Sequence, residues 1–262
     1  MCTTIDNSKR DTCSHEVPFD LSFTVIDVSL FSSTAQPAVS GDIPSGRSGH
    51  SATYIPQTNE LLLFGGVRAS KWLNVVSILD CRTWIWTTPK VEGSPPKPRS
   101  YHSATLVGSK VVVFGGNNNR QSFNTVHVLE MVQSEDDCTW RWSNPTLSGQ
   151  APFPRTGHTA TLLQDGKTIC IYGGWDPNTD GDGADGENIF KGSYLLDTQT
   201  WTWKEGPKVV PGGSGSPHHH LEDCGPKRCG ADAVLNGDEV LVFGGRIPGE
   251  VLAGDIQRLP SP

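Results

Sequence analysis

Long apolar runs are missing from this chain of 262 residues. No stretch approaches the roughly 18 apolar residues that cross a bilayer as a helix. Residues 1–17 carry Lys9, Arg10, Asp11, His15 and Glu16 and hold no apolar run of about 7–15 residues, so the core of a secretory signal is absent. The expectation is an intracellular protein, cytoplasmic or nuclear, with no membrane partner. Basic charge is also short. Lys and Arg number 21 against 28 Asp and Glu, a net charge of −7, which leaves no broad positive field for phosphates and argues against a nucleic-acid partner. No Asn-x-Ser/Thr acceptor has a permitted middle residue, because Asn144 is followed by Pro145. The 7 cysteines are odd in number and scattered, which suits a reducing compartment better than a disulfide framework. Enzyme signatures are lacking too: there is no Gly-x-Ser-x-Gly elbow, no phosphate loop with its Lys and no His-Glu-x-x-His pair. What the chain has in quantity is punctuation, with 29 Gly and 19 Pro, so long helices are not expected.

Those glycines recur in register. Three segments open alike, with Arg47-Ser48-Gly49-His50-Ser51-Ala52, Arg99-Ser100-Tyr101-His102-Ser103-Ala104 and Arg155-Thr156-Gly157-His158-Thr159-Ala160, at steps of 52 and 56 residues. Each is followed by an apolar run ending in two glycines: 61–64 before Gly65-Gly66, 111–114 before Gly115-Gly116, and 169–172 before Gly173-Gly174. A fourth copy starts at Arg228 and reaches Gly244-Gly245. Short β-branched runs come next (75–79, 125–129, 194–196), then the Trp-x-Trp pairs Trp84/Trp86, Trp140/Trp142 and Trp201/Trp203. Each unit therefore reads as four short strands. The second is apolar on successive residues, as in a strand covered on both faces. Small four-stranded sheets that bury aromatics between neighbours build a β-propeller. Two glycines at a strand end allow positive φ and close backbone approach, and Trp84, Trp140 and Trp201 supply the area to join one sheet to the next.

The Gly-Gly pairs, the following Trp and the Arg-x-Gly-His-Ser/Thr-Ala openings resemble Kelch repeats over nearly the whole chain, from Asp20 to about Leu259. The Trp-x-Trp form with a Pro-rich lead (Pro95, Pro96, Pro98; Pro152, Pro154) is similar to the variety found in interaction scaffolds. The organisation expected is a flexible segment 1–19 followed by a propeller over 20–260. It divides into a partial unit 20–46, units 47–98, 99–154 and 155–227, and a partial unit 228–260. The first partial unit supplies a third and a fourth strand and the last a first, a second and a third. This amounts to about four blade equivalents in an all-β fold, either closed by joining the first and last fragments into one blade or left as an incomplete or open ring, which would invite self-association. The resemblance implies that the repeated Arg and His serve turns and interblade hydrogen bonds. His50, His102 and His158 would begin innermost strands. In the fourth copy Ala231 and Asp232 replace the His and the Ser/Thr.

Two insertions carry candidate chemistry. Residues 176–187 fit a calcium-loop template, with oxygens from Asp176, Asn178 and Asp180, the backbone of Asp182, Gly181 at the sixth position and Glu187 at the twelfth. A solvated acidic glycine-rich loop is the reading favoured over it, because position eight is Gly183 and no flanking helices are expected. In the second insertion His218, His219, His220, Cys224 and Cys229 have metal-binding side chains, but their spacing departs from structural zinc sites.

The function expected is a noncatalytic scaffold that presents loops 67–73, 117–123 and 175–191 to a protein partner, with Arg68, Lys71, Trp72, Asn118 and Arg120 as contacts and no required cofactor. The alternative is a calcium-regulated or metal-dependent enzyme on the same frame, akin to galactose oxidases or to iron-dependent specifier proteins. Against it, the 4 tyrosines all lie in or beside repeat strands, and no Glu, Asp and His are spaced four apart.

Overall fold

The second strand of each repeat, apolar on consecutive residues, is the centre of a small antiparallel sheet. In a computed structural model, which describes residues 25–26, 34–35, 37–133, 138–178, 188–208, 227–247 and 251–260, four such sheets form a four-blade β-propeller, and no helix occurs among the described residues. Blade 1 is Ser51–Ile55, Glu60–Phe64, Val76–Asp80 and Ile85–Thr87. Blade 2 is Ser103–Val107, Lys110–Phe114, Val126–Gln133 and Cys138–Ser143. Blade 3 is Thr159–Leu162, Thr168–Tyr172, Ser193–Asp197 and Thr202–Glu205. Among the described residues blade 4 has three strands, Asp232–Asn236, Glu239–Phe243 and Ile256–Pro260. A separate hairpin pairs Val25–Ile26 with Thr34–Ala35.

The blades are not simply four-stranded. Ser40–Gly41 runs parallel to Ile85–Thr87 on the outer edge of blade 1, and Val91–Glu92 runs parallel to Cys138–Ser143 on blade 2. A single parallel bridge, Ser148 to Thr202, does the same on blade 3. The leads before Arg47, Arg99 and Arg155 thus belong to the blade that follows them, earlier than the unit boundaries expected from the repeats. Closeness explains the glycines there: a Cβ on Gly41, Gly93 or Gly149 would collide with the carbonyl of Trp86, Trp142 or Trp203.

Register places a different apolar set on each face. Thr53, Leu62 and Ile78 lie side by side, as do Thr105, Val112 and Val128. Blade 1 turns Ile55, Leu62, Phe64, Val76 and Ile78 onto Val111, Val113, Leu129, Trp140 and Trp142 of blade 2. Blade 2 turns Val112, Phe114 and Val126 onto Ile169, Ile171, Leu196 and Trp203 of blade 3. Blade 3 turns Leu163, Cys170, Tyr172 and Leu195 onto Val240, Val242 and Leu259 of blade 4. These buried faces are the core, and at about 25 cal/mol per Å² of apolar area they are the main stabilising term.

One contact repeats at two of the joints. Phe64, which ends its strand, sits 5.0 Å from Trp142 and 5.2 Å from His102 of the next blade. Phe114 sits 5.2 Å from Trp203 and 5.1 Å from His158. At the third joint the chemistry changes. Tyr172 takes the Phe position, Ala231 the His position, and the Tyr172 hydroxyl donates to Gln257 Oε1 at 2.7 Å. The second Trp of each pair is deeply buried, as is Trp140, whereas Trp84 and Trp201 are partly exposed in turns at φ 58° and 54°.

Candidate functional site

The Arg-Ser/Thr-x-His openings and the loops after Gly-Gly gather on one face of the propeller, because bridges tie each opening to its loop: Ser48 to Val67, Ser100 to Asn117, Thr156 to Trp175 and Cys229 to Arg246. Main-chain bonds then link successive blades at the third residue of the opening. Tyr101 N–H donates to Gly49 C=O at 2.7 Å, Gly157 N–H to Tyr101 C=O at 3.0 Å, and Gly230 N–H to Gly157 C=O at 2.8 Å.

The repeated cations are spent on this scaffold. Nη1 of Arg47, Arg99, Arg155 and Arg228 donates to the carbonyl of the first glycine in its own blade, Gly65, Gly115, Gly173 or Gly244. Burial lowers Arg99 and Arg155 to about 10. The histidines bridge blades: His102 Nε2 shares a hydrogen bond with Ser51 Oγ, and His158 Nε2 with Ser103 Oγ, both at 2.9 Å. Burial, then the neighbouring arginine, holds His102 and His158 down at about 3, so both are neutral imidazoles at any physiological pH. A Cβ on Gly115, at φ 66°, would stand 2.6 Å from His158 Cε1, which is why the strand end must be glycine.

What remains unspent is in the loops. Val67–Arg68 and Lys71–Trp72 form a tight hairpin whose turn residues, Ala69 and Ser70, have φ of 44° and 61°. Arg68 and Lys71 are exposed, and the Trp72 indole N–H donates to Ser100 Oγ at 3.0 Å. Arg68, Trp72, Arg47 and Ser48 line a cleft of about 370 Å³. Burial, and then the charge of Arg68, lowers the pKa of Arg47. Arg120 is exposed in the next loop, which Asn118 closes by accepting the backbone N–H groups of Arg120 and Gln121 on its Oδ1. Arg68, Lys71 and Trp72 therefore come together, while Asn118 and Arg120 stand one blade away.

The metal candidates are only partly in view. Asp176 Oδ1 accepts from both the backbone and the side-chain amide of Asn178, and Asn178 Nδ2 also donates to Ser122 Oγ. Asp180, Asp182 and Glu187 lie outside the described residues, as do His218, His219, His220 and Cys224. The Cys229 thiol donates to the Arg246 carbonyl. Among the described residues, no group of three or more His, Cys, Asp or Glu is placed to hold a metal ion.

The four Gly-Gly strand ends, the Arg-to-glycine bonds and the His bridges constitute one repeated joint, and a family model described as the KLHDC2/KLHL20/DRC7 Kelch-repeats domain matches residues 12–245. The chain belongs to the Kelch-repeat family. This Kelch chain is 29% identical over 218 residues to Kelch domain-containing protein 3 of Bos taurus, covering 81% of this chain and 51% of that protein. It is 32% identical over 231 residues to host cell factor 1 of Rattus norvegicus, covering 81% and 10%. It is 36% identical over 138 residues to acyl-CoA-binding domain-containing protein 5 of Arabidopsis thaliana, covering 52% and 20%. The Kelch chain thus spans about half or less of the length of these relatives. Sequence reasoning missed Gly41, Gly93 and Gly149, although each stands six residues before a repeat Arg. It also missed Leu73, which stands where the second and third units have Phe123 and Phe190.

Proposed function

We propose that this Kelch chain is a noncatalytic protein–protein interaction scaffold, working intracellularly in the cytoplasm or nucleus, with no nucleic-acid or membrane partner. One observation carries the reading: polar groups repeated in register are consumed in holding blades together, while Arg68, Lys71 and Arg120 stand exposed in the loops beside the openings. The imidazoles that a metal-dependent alternative would recruit bond to serine hydroxyls instead, at Ser51 and Ser103. Loops on a rigid frame are where recognition concentrates. Affinity purification with cross-linking tests it. The double variant Lys71→Ala/Arg120→Ala, at two exposed side chains, should keep the wild-type melting temperature and lose partners that the wild type retains. Identical partner sets for the two proteins would overturn the reading. A second copy is an additional partner in this proposal, through the open face of blade 4.

A further inference from the structure

Each joint between blades is closed by equivalent positions, but not by equivalent side chains. Between blades 1 and 2, His102 Nε2 bonds to Ser51 Oγ at 2.9 Å, and Thr53 Oγ1 donates to the Ala104 carbonyl at 3.3 Å. Between blades 2 and 3, His158 Nε2 bonds to Ser103 Oγ at 2.9 Å, and Thr156 Oγ1 donates to the Tyr101 carbonyl at 3.3 Å. Between blades 3 and 4, Ala231 stands at the His position and packs on the joint with a methyl group alone. Thr159, at the position of Ser51 and Ser103, and Thr161, at that of Thr53, are both buried, and neither hydroxyl has a hydrogen-bond partner among the described residues. The two imidazoles also leave Nδ1 bare, yet each satisfies the hydroxyl opposite. A buried hydroxyl without a partner loses its hydration on closure and gains no bond in return, so it favours the arrangement in which water reaches it.

Blade 4 is braced within itself. Arg228 Nη1 donates to Gly244 C=O at 2.6 Å, and Nη2 meets both oxygens of Asp255 at 2.8 and 2.9 Å. Blades 2 and 3 are covered on both faces, whereas Val234, Phe243 and Ile256 of blade 4 are exposed. Across its inner face, Val240, Val242 and Leu259 meet Cys170, Tyr172 and Leu195, and the Tyr172 hydroxyl donates to Gln257 Oε1. The main-chain bond from Gly174 N–H to Arg228 C=O, at 2.7 Å, has counterparts at the other joints in Gly66 to Arg99 and Gly116 to Arg155, so it does not set this joint apart.

We propose that blade 4 separates from blade 3 as a unit while blades 1 to 3 stay joined, with the Tyr172–Gln257 bond as the latch. Cooperative parts of a protein open locally at less free energy than global unfolding needs. In a row of repeats each interface contributes its own nearest-neighbour term, and the one between blades 3 and 4 lacks the imidazole bridge. Opening hydrates Thr159 and Thr161 and uncovers Cys170. That thiol reports the motion, because its side chain is buried against blade 4 and burial raises it to about 12, leaving it inert while the joint is closed.

Iodoacetamide labelling of the full chain under native conditions, read by peptide mass spectrometry, tests the device. Val112 occupies in blade 2 the position that Cys170 occupies in blade 3, and it is equally buried, so Val112→Cys places a matching thiol at the joint between blades 2 and 3. In that variant Cys170 should label about tenfold or more faster than the introduced thiol. Tyr172→Phe, which releases the latch, should speed labelling of Cys170 several-fold and leave the introduced thiol unchanged. Ala231→His, which offers Thr159 an imidazole, should slow it several-fold. Thr159→Val, which removes the bare hydroxyl at nearly constant volume, should slow it too and serves where Ala231→His does not fold. Equal labelling of the two thiols, or a Tyr172→Phe effect of the same size on both, would mean that the chain opens only globally and would overturn the proposal. Labelling of Cys170 that neither Ala231→His nor Thr159→Val slows would overturn it as well.

Discussion

His102 and His158 show how burial decides what a residue does. Both are fully enclosed between blades, and both titrate near 3 instead of the ordinary value of about 6.5. As pH falls through about 6.5 the unfolded chain takes up protons on these rings and the folded chain does not, so unfolding gains and stability drops. The stability they allow is fully present above about pH 7. It declines by up to about 1.4 kcal/mol per pH unit for each histidine on the way down toward pH 3. Urea unfolding midpoints between pH 4 and 8 should show this slope, to which His127, held down at about 4 by burial, also contributes, so His158→Asn should remove roughly a third of it. A flat profile in the wild type would contradict the buried neutral state. The tryptophans divide on the same ground. Trp203→Ala removes a nearly fully buried ring and should cost about 3–5 kcal/mol, whereas Trp201→Ala acts at a partly exposed turn and should cost less than about 2 kcal/mol. Equal losses in chemical denaturation would mean that the two rings share the joint equally.

Among elements, the second strands and the Gly-Gly ends were legible in the sequence because both are periodic at the scale of a blade. The outer lead strands were not. A parallel piece of two residues such as Ser40–Gly41 or Val91–Glu92 has no alternation to read, and its only mark is a glycine at a fixed distance before the Arg. The division of labour within each Trp-x-Trp pair was equally hidden, since a spacing of two cannot tell a turn residue from a strand residue. The candidate site was legible as loops but not as a cleft. That Ala231 leaves Thr159 without a partner among the described residues appears only when the blades are superposed. The leads carry their own test. Gly149 is at φ 76° and a Cβ there would strike the Trp203 carbonyl, so Gly149→Ala should cost about 1–3 kcal/mol. Gly166 is at φ 68° with nothing within 4 Å of an added Cβ, so Gly166→Ala isolates the conformational strain alone. If thermal unfolding finds the two variants equal, close packing of the lead on the tryptophan strand contributes nothing.

At the scale of the whole molecule, the repeated joint runs from blade 1 to blade 4, and among the described residues nothing packs on one side of the blade 4 sheet. Val234, Phe243 and Ile256 share that side and are 61%, 57% and 57% exposed. Their counterparts in blade 1, Thr53, Phe64 and Val76, are buried by blade 2. Phe243 ends its strand as Phe64 and Phe114 do, but among the described residues it meets no histidine or tryptophan of a further blade. Among the described residues the strand Ile256–Pro260 is the outer edge of its sheet, with backbone groups available for pairing. An exposed apolar face beside an open edge favours association, and a second copy supplies both an apolar face and an edge. Sedimentation of the full chain should therefore show a reversible increase in mass with concentration. Phe243→Glu combined with Ile256→Lys should abolish that increase. Because both side chains are already largely exposed, the melting temperature of the dilute monomer should stay within a few degrees, as surface substitutions usually change stability by no more than about 0.5 kcal/mol. Association that persists in the double variant would place the contact elsewhere, and a wild-type chain that remains monomeric at every concentration would remove blade 4 as a docking surface for its own kind.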